Sequence, residues 1–142
     1  MFMRTTKGFT LLELMIVVAL VAILATLAYA SYTNYVFRVH RADGREMLMR
    51  VAAAQERFFT NQNVYSSSVT AAAPAGLGFS SAASEKGYYN VAIVLTNGGQ
   101  GYTLQGAPQN SQATDACGQL TITNTGQKGP VGPPYNSNGD CW

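Results

Sequence analysis

Residues 14–30 carry no charge, and only Thr26 and the Tyr29 hydroxyl are polar among those seventeen positions. That length is close to the roughly 20 apolar residues a helix needs to cross a bilayer. The pattern continues past this run. Apolar side chains recur at Tyr32, Tyr35, Val36, Val39, Met47, Leu48, Val51, Ala54 and Phe58, mostly in steps of three and four, as on one face of a helix. Arg38, Arg41, Asp43, Arg45, Glu46, Arg50, Glu56 and Arg57 fall on the other sides, and no proline precedes Pro74. The pattern predicts one helix from about Phe9 to about Asn61, roughly 80 Å long, apolar all round in its first half and amphipathic in its second. Gly44 is its one internal glycine, at a cost of about 1 kcal/mol against alanine. It marks either a mild bend or a close packing contact.

Residues 60–87 are rich in Ser, Ala, Gly and Asn, show no clear period, and read as an irregular surface connection. Three segments then read as strands. Residues 88–95 (YYNVAIVL) are aromatic and β-branched, 102–107 (YTLQGA) alternate, and 119–124 (QLTITN) set Leu120 and Ile122 against threonines. "NGGQG" between the first two predicts a hairpin turn. The expected class is α+β: a long N-terminal helix whose amphipathic half lies on one face of a 3–4-stranded antiparallel sheet. Gly126, Gly129 and Gly132 repeat at period three, but three triplets cannot hold a collagen helix, so residues 125–142 read as a turn-rich loop.

Net charge is +2, so bulk charge points to no acidic partner. Only 11% of residues are charged, and beyond Phe58 only Glu85, Lys86, Asp115, Lys128 and Asp140 remain. The two cysteines, Cys117 and Cys141, are either one disulfide or two buried thiols. An even count behind an export-type N-terminus favours the disulfide, which would close the C-terminal loop. No His/Cys cluster offers a metal site, and no cofactor is implied. The pattern argues against an enzyme. The lone histidine, His40, sits in the charged helix half as a solvated residue with no nucleophile motif nearby, and the glycine run lies inside a hairpin rather than after a strand.

The N-terminus admits an ordinary reading, a signal peptide with a cut after Ala30 at Ala28-Tyr29-Ala30. Glu13 inside the apolar approach, the length of the run and the continuing helical pattern oppose it. Lys7-Gly8-Phe9-Thr10-Leu11-Leu12-Glu13 instead resembles the processing site of type IV prepilins: a short basic leader ending in Gly, then Phe, with Glu fifth after the cut. The resemblance implies cleavage between Gly8 and Phe9, N-methylation of Phe9, and a role for Glu13 in subunit assembly opposite a neighbour's Phe9 amine. Removing the leader also takes away Arg4 and Lys7, leaving seven basic side chains against seven acidic ones. Otherwise Glu13 merely marks the membrane interface.

The stretches from Arg41 to Tyr65 and from Cys117 to Trp142 further resemble minor pilins of the PilE type. The type IV pilin fold so implied divides the chain into a leader (1–8), an apolar membrane and filament-core helix (9–36) and a head (37–142). Within the head the expected parts are an αβ-loop (62–87), a sheet (88–124) and a C-terminal loop (125–142). Many pilins carry Pro near the end of the apolar run and Gly within it; Ala30 and Ala22 stand there in this chain. The implied partners are other pilins, a prepilin peptidase and methyltransferase, an inner-membrane assembly platform, and lipid before assembly. The implied location is the bacterial inner membrane and then the extracellular pilus. The implied function is a structural subunit, a minor pilin, supporting pilus assembly and pilus-dependent motility, adhesion or DNA uptake. The alternatives are a DNA-binding receptor pilin, a secretion pseudopilin and the soluble product of the Ala30 cut. A DNA receptor would draw on Arg38, Arg41, Arg45, Arg50 and Arg57, but interleaved Asp43, Glu46 and Glu56 make this a solvated face, so DNA is not the favoured partner.

Overall fold

Thr10 starts the helix. Its Oγ1 accepts the Glu13 backbone N–H at 3.2 Å, satisfying one of the amides that a first helical turn leaves without partners. Thr10-x-x-Glu13 is also the spacing of a capping box. In the computed structural model, which describes residues 8–142, α1 (Leu11–Gln62) then runs unbroken for 52 residues, through both Ala22 and Ala30. The chain divides into two compact units, with the boundary between Tyr35 and Val36. In the first unit the described side chains from Phe9 to Tyr29 are all exposed. An apolar helix with no cover of its own needs lipid or sister helices.

In the second unit, β1 (Tyr89–Thr96), β2 (Gly101–Pro108), β3 (Leu120–Thr123) and β4 (Lys128–Gly129) form one sheet in that order, every neighbour antiparallel. β4 lies in the stretch expected to be loop. It is only two residues long and lacks the alternation that marks a strand in sequence. A 3₁₀ turn, Asn97–Gly99, closes the hairpin, with Gly98 in the left-handed region at φ 65°. A second, Asn110–Thr114, leads from β2 toward Cys117.

Period-two alternation puts Tyr89, Val91, Tyr102, Leu104, Leu120 and Ile122 on one face, where they meet Met47, Leu48 and Val51 of α1. Gly44 is buried, and the site requires glycine, because an added Cβ would come within 2.5 Å of the Tyr89 ring. It is a close packing contact. Gly106 plays the same part opposite Leu48, whose Cδ1 would be 3.2 Å from an added Cβ. Tyr32, Tyr35 and Val39, which extend the apolar pattern, are exposed. The buried stripe instead runs Arg41, Gly44, Met47 and Leu48, Val51, Ala54 and Gln55.

Candidate functional site

The stretch that resembles a processing site stands in the open. A Cβ added to Gly8 would meet nothing within 4 Å, and Phe9 is 82% exposed. Glu13 projects from the first turn of α1 with no ion-pair partner among the described residues. The leader ahead of Gly8 lies outside the described residues. An acidic side chain in the first helical turn is favoured by the helix dipole, which gives Glu13 a local role beside any assembly role.

In the head, the expected basic face does not exist as one surface. Arg41 is completely buried. Its Nε and Nη2 donate to both carboxylate oxygens of Asp115, at 2.7 and 2.5 Å. Its Nη1 donates to the carbonyls of Gly139 and Asp140, at 2.9 and 3.0 Å. Nη2 also donates to Asn138 Oδ1, and Asn138 Nδ2 donates to Asp115 Oδ1 at 2.8 Å. Arg41 was expected on the solvated side. The rigid guanidinium fork suits it instead to bind a buried carboxylate and several carbonyls at once, a task lysine's point charge cannot do. Burial works to raise the Asp115 carboxyl, but hydrogen bonds from Arg41 and Asn138 outweigh it, and its pKa lies below the ordinary value.

His40 is likewise not a free surface residue. Its ring stacks on Tyr88 with centroids 3.6 Å apart, and Nδ1 lies 3.2 Å from Gln112 Oε1. Gln112 is buried, and its amide reaches Tyr89 Oη at 3.0 Å and Asp115 Oδ2 at 2.8 Å. Burial pushes the Tyr89 phenol up to about 12, against the lowering effect of the Gln112 hydrogen bond. These contacts join α1, the Asn110–Thr114 turn and the C-terminal loop. The disulfide Cys117–Cys141, with Cα atoms 5.6 Å apart, closes that loop beside them. Trp142 Nε1 donates to the Gly129 carbonyl at 2.6 Å, and Lys128 Nζ lies 5.2 Å over the Trp142 ring.

The remaining cations scatter. Arg38 lies against Gly139, and Arg45 is half-buried. Arg50 and Arg57 line two grooves on the other flank of α1, against the connection to β1. Glu56 accepts hydrogen bonds from Tyr65 and Tyr102 at 3.2–3.3 Å. Among the described residues there is no cluster of three or more metal-ligating side chains.

Two family models match the chain. One is the prokaryotic N-terminal methylation motif, over residues 3–29. The other is the type IV minor pilin ComP, DNA uptake sequence receptor, over residues 30–121. Among solved structures, a type IV pilin from Shewanella oneidensis is similar at 26% identity, covering 75% of this chain and 97% of that one, with a TM-score of 0.52. No curated protein matches. The long helix, the antiparallel sheet and the C-terminal disulfide agree with these likenesses, and the chain belongs to the ComP-type minor pilins, structural subunits of the type IV pilus.

Proposed function

We propose that this minor pilin is cut between Gly8 and Phe9, methylated on the new amine, held in the bacterial inner membrane by residues 9–36, and drawn into pili by a contact between Glu13 and a neighbour's Phe9 amine. The observation that carries this reading is the bare first half of α1. From Phe9 to Tyr29 every described side chain is exposed and nearly all are apolar, with one carboxylate at the head. A carboxylate at that depth is costly without a partner, and a cationic amine on the adjoining subunit would favour its ionised form. Such a pair serves register better than stability.

Glu13→Gln tests the charge while leaving the side chain's shape and hydrogen bonding in place. Glutamine keeps the capping-box chemistry at Thr10 but removes the charge. We expect the variant to insert and be processed, yet to fall about tenfold or more in sheared fibres relative to the membrane fraction, because a buried charge without its partner is strongly unfavourable. Wild-type levels in sheared fibres would exclude the charge contact. Intact-mass measurement of fibre protein tests the processing: the expected chain begins at methylated Phe9, and one beginning at Ser31 would overturn it.

For the head, the reading is that of a DNA-uptake pilin. It is supported by the match of residues 30–121 to the ComP model, described as a DNA uptake sequence receptor. Charge patterning alone ranks this second, since five scattered arginines make no stripe. The test is uptake of labelled DNA by cells lacking this chain, with pili counted in parallel. Lost uptake on cells that still carry pili is expected. Undiminished uptake would overturn the reading.

A further inference from the structure

The geometry points to a lipid contact that sets how deep this chain lies in the membrane: Tyr29, Tyr32 and Tyr35 are anchored in the headgroup layer at the far end of the span. This rests on the membrane reading above. Tyr32 and Tyr35 continue the apolar pattern of the sequence, yet neither joins the core of the head. All three tyrosines are exposed, and Tyr35 is the last residue of the first unit. Between Leu27 and Val36 they are the only bulky side chains, since Ala28, Ala30, Ser31, Thr33 and Asn34 are small or polar. A tyrosine suits neither hydrocarbon nor water alone. Its ring is driven from water and its hydroxyl keeps seeking hydrogen bonds, so it settles where one end is apolar and the other wet.

The spacing matches a bilayer. α1 is unbroken from Leu11, so residue number converts to height. Leu11 to Tyr29 rises about 27 Å, against a hydrocarbon core of roughly 30 Å. Tyr32 and Tyr35 stand about 5 and 9 Å further on, across the polar layer that brings a bilayer to roughly 40–45 Å in all. Steps of three keep the three rings within about a third of the helix circumference. No charge interrupts the ladder: the nearest ones are Glu13 before it and Arg38 after it. Arg4 and Lys7 precede the span, so the positive-inside bias sets its start on the cytoplasmic side and the tyrosines on the outer one.

Depth at one end fixes depth at the other. With Tyr29 at the outer edge of the hydrocarbon, Glu13 lies just inside the inner edge, where its carboxylate can meet a neighbour's amine away from bulk water. Leucine in place of the tyrosines would extend the apolar stretch toward Phe37. Its midpoint would then move C-terminally by up to about three residues, or roughly 5 Å. The helix would slide to recentre, and Glu13 would be drawn out toward the cytoplasmic headgroups. The tyrosines are thus positioning residues for the assembly contact.

The experiment places the full-length chain in vesicles of phosphatidylcholine and phosphatidylglycerol and reads tryptophan fluorescence against lipids brominated either near the headgroup or near the chain end. Trp142, the single native tryptophan, gives a background that the unaltered chain measures. Tyr32→Trp keeps an interfacial ring, and its added emission should be quenched several-fold more by the shallow bromine than by the deep one. Leu20→Trp, midway along the span, should show the reverse. Adding Tyr29→Leu, Tyr32→Leu and Tyr35→Leu to Leu20→Trp should shift its quenching from the deep lipid toward the shallow one. Retention of the Cys117–Cys141 bridge checks the fold of each variant. An unchanged Leu20→Trp depth in the combined variant would overturn the anchor. So would Tyr32→Trp emission quenched by aqueous acrylamide and by neither lipid, which would put the stripe in water. Quenching by none of the three would mean that a second copy covers the stripe, and would overturn it equally. If Leu20→Trp itself meets no bromine, the chain does not span, and the membrane reading falls together with this inference.

Discussion

Two irregular regions flank the head helix, and they are held by different physics. The connection from α1 to β1 brings its own apolar anchors. Tyr65 and Val69 enter the core, Leu77, Phe79 and Ala82 pack against it, and the Phe59 ring lies tilted and the Tyr102 ring edge-on against Tyr65. One buried glutamine finishes the job: Gln55 accepts the Ser66 N–H at 2.9 Å and donates to the Ser66 carbonyl at 2.7 Å. The C-terminal loop brings almost nothing apolar. Val131 and Tyr135 are exposed, and the loop is tied down by a disulfide, a buried guanidinium and the Trp142 indole. A loop with greasy anchors needs no cross-link. A loop of Gly, Pro, Ser and Asn cannot bury enough surface to offset its ordering entropy, so covalent and ionic ties replace packing.

The sharpest way to break this contrast is Arg41→Met. It leaves Asp115 buried without a counter-charge and should cost about 3–5 kcal/mol in chemical denaturation. Adding Asp115→Leu should recover much of that loss, because an apolar pair can replace a buried ion pair. Failure to recover would mean that the carbonyls of Gly139 and Asp140, not the carboxylate, are what Arg41 serves.

Next in size is the double change Cys117→Ala, Cys141→Ala. Opening a loop of sequence separation 24 should cost about 3–4 kcal/mol on the chain-entropy account. Hydrogen exchange should rise across residues 125–140 and stay unchanged across residues 65–79. Equal deprotection of both would show that the two regions are not held independently. A smaller effect is expected for Gln55→Leu, about 1–3 kcal/mol, since it orphans the buried N–H and C=O of Ser66. Faster exchange at the Ser66 amide, with the C-terminal loop still protected, is the signature.

The smallest effect is acid sensitivity. The folded pKa of Asp115 lies below its ordinary value of 3.8. Its contribution is therefore full above that pH and disappears as pH falls toward the folded value. Stability measured below pH 4 should drop less in the Arg41→Met, Asp115→Leu protein than in the wild type.

The sequence announces what repeats and hides what does not. α1 was legible because an uncharged apolar run passes without proline into a stretch of three-and-four spacing, and β1, β2 and β3 because their alternation survives over several residues. The helix ends at Gln62 rather than Asn61, a trivial difference. β4 was illegible because a two-residue strand carries no period. Arg41 was misread for a subtler reason: among five arginines on one helix, residue type says nothing about which one faces inward. A signal was present, since Arg41, Gly44 and Leu48 share the three-and-four spacing of the buried stripe. Glycine is an invitation for close contact, and the arginine next to it along that line inherits the same face. The partner, Asp115, lies 74 positions away, and only the fold brings them together. The N-terminal methylation motif, by contrast, was readable because its residues lie close together in the chain.

The unbroken course of α1 has a mechanical consequence. Between Leu11 and Asp43 there is neither proline nor glycine, so no residue offers a preset yielding point under tension. Each residue pulled from helix to extended chain lengthens the segment by about 2 Å and breaks one backbone hydrogen bond. With no weak link, that yielding has no preferred place to begin in this stretch. The first glycine met is Gly44, and Tyr89 lies against it. A pull that reaches it therefore strains the packing of the head before it finds slack.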